Sequence, residues 1–137
     1  MFRSIWDFYW QLQETEHGND REVYEMKKLE IVIRPEQLDD LKEILNENNA
    51  NGLMITSIMG YGSQMGVKKV YRGVTYNATL LPKMKVETVI ADEVVDGVID
   101  KVIDRIRTGN IGDGKIFMYD VADVIRIRTG ERGESAV

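Results

Sequence analysis

The chain of 137 residues has no cysteine, two prolines and one histidine, and each scarcity removes a class of chemistry. Without cysteine there is neither a disulfide framework nor a thiolate metal site, which fits a reducing cytosol. His17 stands alone, so there is little material for a zinc centre or a histidine-based triad. No apolar run reaches bilayer length, and the N-terminus lacks the basic-then-apolar order of a secretion signal. Lysines and arginines form no long stripe interleaved with aromatics, so nucleic-acid binding finds no support. The expectation is a soluble cytoplasmic protein without direct membrane insertion.

What is present suffices for one domain with a core that needs no staples. The net charge of −5 is unevenly shared: residues 1–25 hold two arginines against six acids, whereas residues 26–137 hold sixteen bases against seventeen acids. The body is nearly neutral and the acidity sits in the first segment.

Residues 27–34 (KKLEIVIR) alternate, with Leu29, Ile31 and Ile33 on one face, and predict a strand. Pro35 suits the first turn of a following helix with the stripe Leu38, Leu41 and Leu45. The turn-formers of 46–52 (NENNANG) end it, and 53–61 read as a second strand. From Gly62 to Leu80 the periodicity is lost, which predicts a long loop or a mobile hairpin of the length that loops keep for function or disorder. Residues 81–90 alternate again. Asp92 is a candidate N-cap for a helix carrying Val95, Ile99, Val102 and Ile106, and Ile116 to Tyr119 and Val124 to Arg128 read as two further strands. The order β-α-β-β-α-β predicts an α+β fold, the ferredoxin-like double βαβ sandwich. Both faces of the strands carry apolar residues, so homo-oligomerisation through the open sheet face is expected.

The most informative stretch is Thr108 to Lys115, TGNIGDGK, running on into IFMYDV. Glycines let backbone N–H groups approach an anion, and the terminal lysine adds a mobile positive charge. Arg126 and Arg128 follow, and a two-residue spacing on an extended chain sends both guanidiniums to one face, where two forks suit a polyphosphate. The loop is not a Walker A motif, because Ile116 stands where a hydroxyl is needed. It is not a Rossmann fingerprint, because its glycines end a helix rather than open one. Asp113 and Lys115 could serve phosphoryl transfer in an enzyme of this fold, but no base-and-nucleophile constellation accompanies them.

TGNIGDGKIFMYDV, the following VIRIRTGE and the upstream YRGVTY resemble the PII nitrogen-regulatory signalling family, of the GlnB/GlnK type, over Met26 to Val137. The resemblance implies a non-catalytic regulator of nitrogen metabolism that is a homotrimer with nucleotide clefts between subunits. It implies a T-loop at about 62–80, a B-loop at about 107–115 and a C-terminal loop at about 127–137. ATP or ADP would be held by Gly52, Gly62, Glu87 and Val89, by Gly112, Asp113, Gly114 and Lys115 of the B-loop, and by Arg126 and Arg128 from the next subunit. With Mg-ATP bound, 2-oxoglutarate would meet Gln64, Gly66 and Lys83, with Gln64 also on the Mg²⁺ ion. Arg72 matches the arginine that enters the pore of an Amt-type ammonium channel, the implied route to the membrane; other nitrogen-metabolism proteins are further candidate partners. Tyr76 falls where some members are uridylylated.

The chain departs from the family pattern at several positions. Asn110 replaces a lysine or glutamate, Met54 a threonine near the base, Ser63 an arginine on the triphosphate and Met65 a lysine, while Val74 and Thr75 change the approach to Tyr76. These departures keep alive a PII-like sensor of adenine nucleotides alone. Residues 1–25 lie upstream of the resemblance and have two readings. Phe2, Ile5, Trp6 and Tyr9 form an apolar stripe if helical, as in a docking segment. Alternatively Arg21-Glu22-Val23 is encodable as a ribosome-binding sequence, and translation starts at Met26.

Overall fold

The computed structural model describes residues 24–61, 68–71, 74–77 and 80–137, of which 68–71 and 74–77 by backbone alone. Six strands and two α-helices follow in order: β1 (Met26–Ile33), α1 (Leu38–Glu47), β2 (Leu53–Tyr61), β3 (Lys68–Tyr71), β4 (Val74–Asn77), β5 (Leu80–Ala91), α2 (Asp92–Ile106) and β6 (Lys115–Val121). Four of the strands form one sheet in the order β2-β5-β1-β6, and β3 pairs with β4 as a separate hairpin. Every neighbouring pair in the main sheet is antiparallel. Each helical crossover therefore returns the chain parallel to its starting strand with one strand between them, the split βαβ arrangement expected.

Side-chain period decides which face is covered. Leu29, Ile31 and Ile33 of β1 and Val86, Thr88 and Ile90 of β5 are buried on one face of the sheet. Against them pack Leu41, Ile44 and Leu45 of α1 and Val95, Val98, Val102 and Ile106 of α2, at the i, i+3, i+7 spacing of a single helix face. Among the described residues no helix covers the other face of the sheet, which presents Lys28, Glu30 and Val32 of β1 against Val89, Glu87 and Lys85 of β5. This open face ends, at the start of β5, in Lys83, opposite Ile58 of β2.

The helix boundaries have local causes. Pro35 opens a 3₁₀ turn, Pro35–Gln37, that leads into α1. Asn49 ends the helix at φ 59°, a left-handed position that asparagine tolerates better than most. Asp92 is not the N-cap: Ala91 holds that place, and Asp92 is the first residue inside α2. Its backbone N–H donates to the Glu25 carbonyl at 2.9 Å, and its carboxylate faces Lys27 at 3.5 Å.

The last expected strand is also corrected. Val124 to Arg128 does not join the sheet; among the described residues its ladder contact is an isolated bridge between Ile125 and Arg132. Gly130 N–H donates to the Arg126 carbonyl at 2.7 Å and Arg126 N–H to the Glu131 carbonyl at 2.9 Å. The backbone groups that a strand would pair sideways are thus satisfied within a tight turn. The alternation of VIRIR leaves Ile127 fully exposed, and the strand-based argument that Arg126 and Arg128 share a face falls with the strand.

Candidate functional site

The segment joining α2 to β6 folds over the end of the open face. Its backbone takes positive φ at Gly109, Gly112 and Gly114, the kind of reversal that gathers N–H groups into an anion-binding concavity. Gly114 is demanded by packing as well, because a Cβ there would sit 1.7 Å from the Val32 carbonyl oxygen. Part of the glycine signal in this loop is therefore structural rather than ligand-directed.

Asp113 ties the loop together. It accepts from the Thr108 and Gly109 N–H groups, each at 2.9 Å, and from the Thr108 hydroxyl. Arg34, just past the end of β1, donates to it at 2.6 Å and to the Ile111 carbonyl at 3.0 Å. Led by the Thr108 hydroxyl and then the Arg34 guanidinium, these donors hold the Asp113 carboxyl far below the usual carboxylate range. A carboxylate so fully engaged orders the loop and is neutralised within it. The part that Arg34 and Thr108 play in holding this loop was not legible from the sequence. The Thr-to-Asp spacing inside a glycine-rich loop is a local signal for the second, whereas nothing local announces Arg34.

Lys83 enters from β5. It is 8% exposed, its Nζ donates to the Gly112 carbonyl at 2.7 Å, and burial, helped by the nearby Arg34 charge, pushes its pKa down. It forms none of the ion pairs among the described residues. Among the described residues the carboxylates that act on this ammonium are Glu36 and Asp113, from beyond ion-pair distance; a desolvated ammonium with no carboxylate in contact is costly, and an anion at this position lowers the cost. Lys83, Gly112, Asp113, Gly114 and Lys115 line one cavity of about 480 Å³ together with Gly60 and Tyr61. A second cavity of about 480 Å³ lies between α2 and β6 and is walled by Ile99, Val102, Ile103, Ile106 and Met118. It shares Gly114 and Lys115 but lacks the buried ammonium, so the first is the site suited to anions.

The remaining expected residues are distributed elsewhere. Glu87 and Val89 share the open face with Lys83, roughly 13 and 20 Å along β5 at 3.3 Å per residue, and Gly52 precedes β2 near the same end. The Glu87 carboxylate pairs with Lys28 at 2.7 Å, which lowers its pKa, and Lys28 lies 5.8 Å from the Tyr119 ring centre. Arg126 is occupied by the Glu131 carboxylate at 3.1 Å and the Ser135 carbonyl at 3.0 Å, while Arg128 is exposed. Gly62, Gln64, Gly66 and Arg72 lie outside the described residues, as do Phe2, Ile5, Trp6 and Tyr9 of the first segment. Tyr76 is described only through the backbone of β4.

The family model described as nitrogen regulatory protein P-II matches residues 26–131. The chain belongs to the P-II family. Among its relatives are nitrogen regulatory protein P-II of Pasteurella multocida, 48% identical over 112 residues, and nitrogen regulatory protein P-II 1 of Escherichia coli, 47% identical over the same length. Each alignment covers 82% of this chain and 100% of the relative. A solved structure of Arabidopsis thaliana PII bound to citrate superposes with a TM-score of 0.67 at 34% identity, covering 83% of this chain and 94% of that one. The P-II name makes the chain a signalling regulator rather than an enzyme, and the phosphoryl-transfer reading of Asp113 and Lys115 is set aside. The P-II match begins at residue 26, so the first 25 residues stand outside it. Among the described residues no helix is long and apolar enough to cross a membrane.

Proposed function

We propose that this P-II chain is a sensor of adenine nucleotide and 2-oxoglutarate, whose 62–80 loop engages nitrogen-metabolism targets, an Amt-type ammonium channel among them. The observation that carries the reading is Lys83, a buried ammonium with no carboxylate in contact among the described residues, set against the glycine loop in an open cavity. Such a group recognises a small anionic ligand, and the citrate on the Arabidopsis relative is a ligand of the same carboxylate chemistry. Lys115 and the backbone of Gly112 and Gly114 supply the phosphate end of the site. Gly52, Glu87 and Val89 supply the base and ribose end, Gly62 is a further nucleotide contact, and Arg126 and Arg128 close the cleft from a neighbouring subunit of a trimer. The apolar and charged open face is the surface that the trimer buries.

Among the described residues no group of three or more carboxylates or imidazoles is placed to hold a metal ion. A Mg²⁺ ion would therefore be held by phosphate and 2-oxo acid oxygens with Gln64, in the octahedral oxygen shell the ion requires, and Gly66 would lie against the 2-oxo acid. Ligand binding beside the base of the 62–80 loop shifts that loop's population, and the loop state selects the partner, with Arg72 as the contact. Tyr76 is the candidate position for covalent modification, with Val74 and Thr75 departing from the family approach to it.

The test is calorimetric titration of 2-oxoglutarate in the presence of Mg-ATP, of Mg-ADP and of no nucleotide, on the wild type and on Lys83→Met. Binding that requires Mg-ATP and disappears in Lys83→Met supports the reading. Because the substitution removes a desolvated charge, the folded protein should melt at the same temperature or higher. Nucleotide binding with no response to 2-oxoglutarate would instead make the chain a sensor of adenine nucleotides alone.

A further inference from the structure

We propose that Tyr24, which precedes the P-II match, is a positioning residue for the turn that carries Arg126 and Arg128. Gly133 is buried and has φ +71°, and its Cα faces the Tyr24 ring so closely that a Cβ would lie 2.2 Å from Tyr24 Cε1 and 2.3 Å from Cδ1. The ring is thus seated on backbone that only glycine leaves bare. Glu25 continues the same anchorage by accepting from the Asp92 N–H at the start of α2. Residues 24 and 25 therefore bridge the N-terminus of α2 and the C-terminal turn.

Gly133 is the closing point of that turn. Its N–H donates to the Val124 carbonyl at 3.0 Å and to Asp123 Oδ1 at 3.2 Å, while the Arg132 guanidinium holds Asp123 at 2.7 Å. The chain from Asp123 to Gly133 is a loop closed at its base, with Arg126 to Arg128 at the far end. A ring pressed on the base keeps water from these bonds and fixes the direction in which the two arginines project. The chemistry is that of a hydrophobic clamp on a hydrogen-bonded turn, supplied by a segment from outside the P-II match.

The consequence for ligand affinity rests on the nucleotide reading above; the mechanical tie does not. Amide hydrogen exchange of the full chain without nucleotide separates the two. In Tyr24→Ala the bonded amides of Arg126, Gly130 and Gly133 should exchange faster by roughly tenfold, with β1 and β5 unchanged, and Tyr24→Phe, which keeps the ring, should restore protection. Unchanged protection at residues 124–133 in Tyr24→Ala overturns the proposal. Should Tyr24→Ala loosen the whole fold, stability of Tyr24→Ala, Gly133→Ala and the double variant decides. Losing the ring relieves the clash of the new Cβ, so the double variant should cost less than the sum, and strict additivity overturns the proposal.

In calorimetry, Tyr24→Ala should weaken Mg-ATP several-fold, and it should weaken it no further in a chain already carrying Arg126→Ala and Arg128→Ala. Failure of the wild type to bind Mg-ATP would remove the nucleotide reading while the exchange result stands. Intact mass of the natural protein must include Tyr24, and a mass beginning at Met26 overturns the assignment.

Discussion

The glycine loop after α2 and the turn after β6 both carry cations for a proposed anionic ligand, yet they are held in opposite ways. The glycine loop is fastened to distant parts of the sheet, by Arg34 from β1 and Lys83 from β5. The C-terminal turn is fastened mainly to itself, through Asp123 with Arg132 and Glu131 with Arg126, and externally through Tyr24. The side chains of the Arg34–Asp113 pair are 18% and 21% exposed, whereas Arg132, facing Asp123, is 62% exposed. A loop anchored on the core depends on distant side chains for its shape, while a self-closed turn depends mainly on bonds of its own.

The largest expected difference between the two regions comes from glycine replacement. Gly114→Ala should cost on the order of 3 kcal/mol or more in denaturant unfolding, because positive φ and a collision with the Val32 carbonyl add together. If Gly114→Ala proves mild, the anchoring of the glycine loop is weaker than the geometry implies.

Salt gives the next contrast. Arg34→Gln should lower the melting temperature in low salt and in about 0.5 M salt alike, since both members of its pair are shielded from solvent, whereas the loss in Arg132→Gln, where the guanidinium is exposed, should fade as salt rises. Asp113→Asn sharpens the same point through acid. A carboxyl held below its ordinary value stabilises the fold fully above about pH 4, and the contribution is lost as pH falls through the folded-state value. Asp113→Asn should therefore be less stable than wild type at neutral pH and show a flatter acid limb in melts. Placed in the Arg34→Gln chain, it should recover part of the loss, because a neutral amide needs no guanidinium.

The smallest effect is expected at Gly130, where a Cβ meets nothing within 4 Å and only φ +72° resists it. Gly130→Ala should cost about 1 kcal/mol. A cost as large as that of Gly114→Ala would mean that the turn is packed on something beyond the described residues.

The four sheet strands, both helices and the glycine loop were legible because period and punctuation agree there. Leu29, Ile31 and Ile33 alternate, α2 keeps one apolar face, and GNIGDG admits little but a turn. The VIRIR segment misled because alternation is a local signal while strand pairing is a tertiary one; the RTG that follows it was the better guide, as Gly130 closes back onto Arg126. Arg34 was invisible for a related reason. Its partner Asp113 is 79 residues away, and a basic residue before a proline looks like any solvated cation. Lys83 was singled out by resemblance alone, because its burial against Gly112 is a tertiary contact between residues 29 apart that no local pattern reveals.

Gly114 divides its loop into a part that can drift and a part that cannot. Residues 112–114 are locked by backbone contact, a captured carboxylate and the Lys83 bond, so substitutions there are removed as folding defects before any effect on recognition is tested. Asn110 and Ile111, both exposed, carry side chains with no such obligation. For the ligand site proposed above, the tip is where this loop tolerates change without a folding cost, and a laboratory search for altered ligand preference should spend its diversity on those two positions.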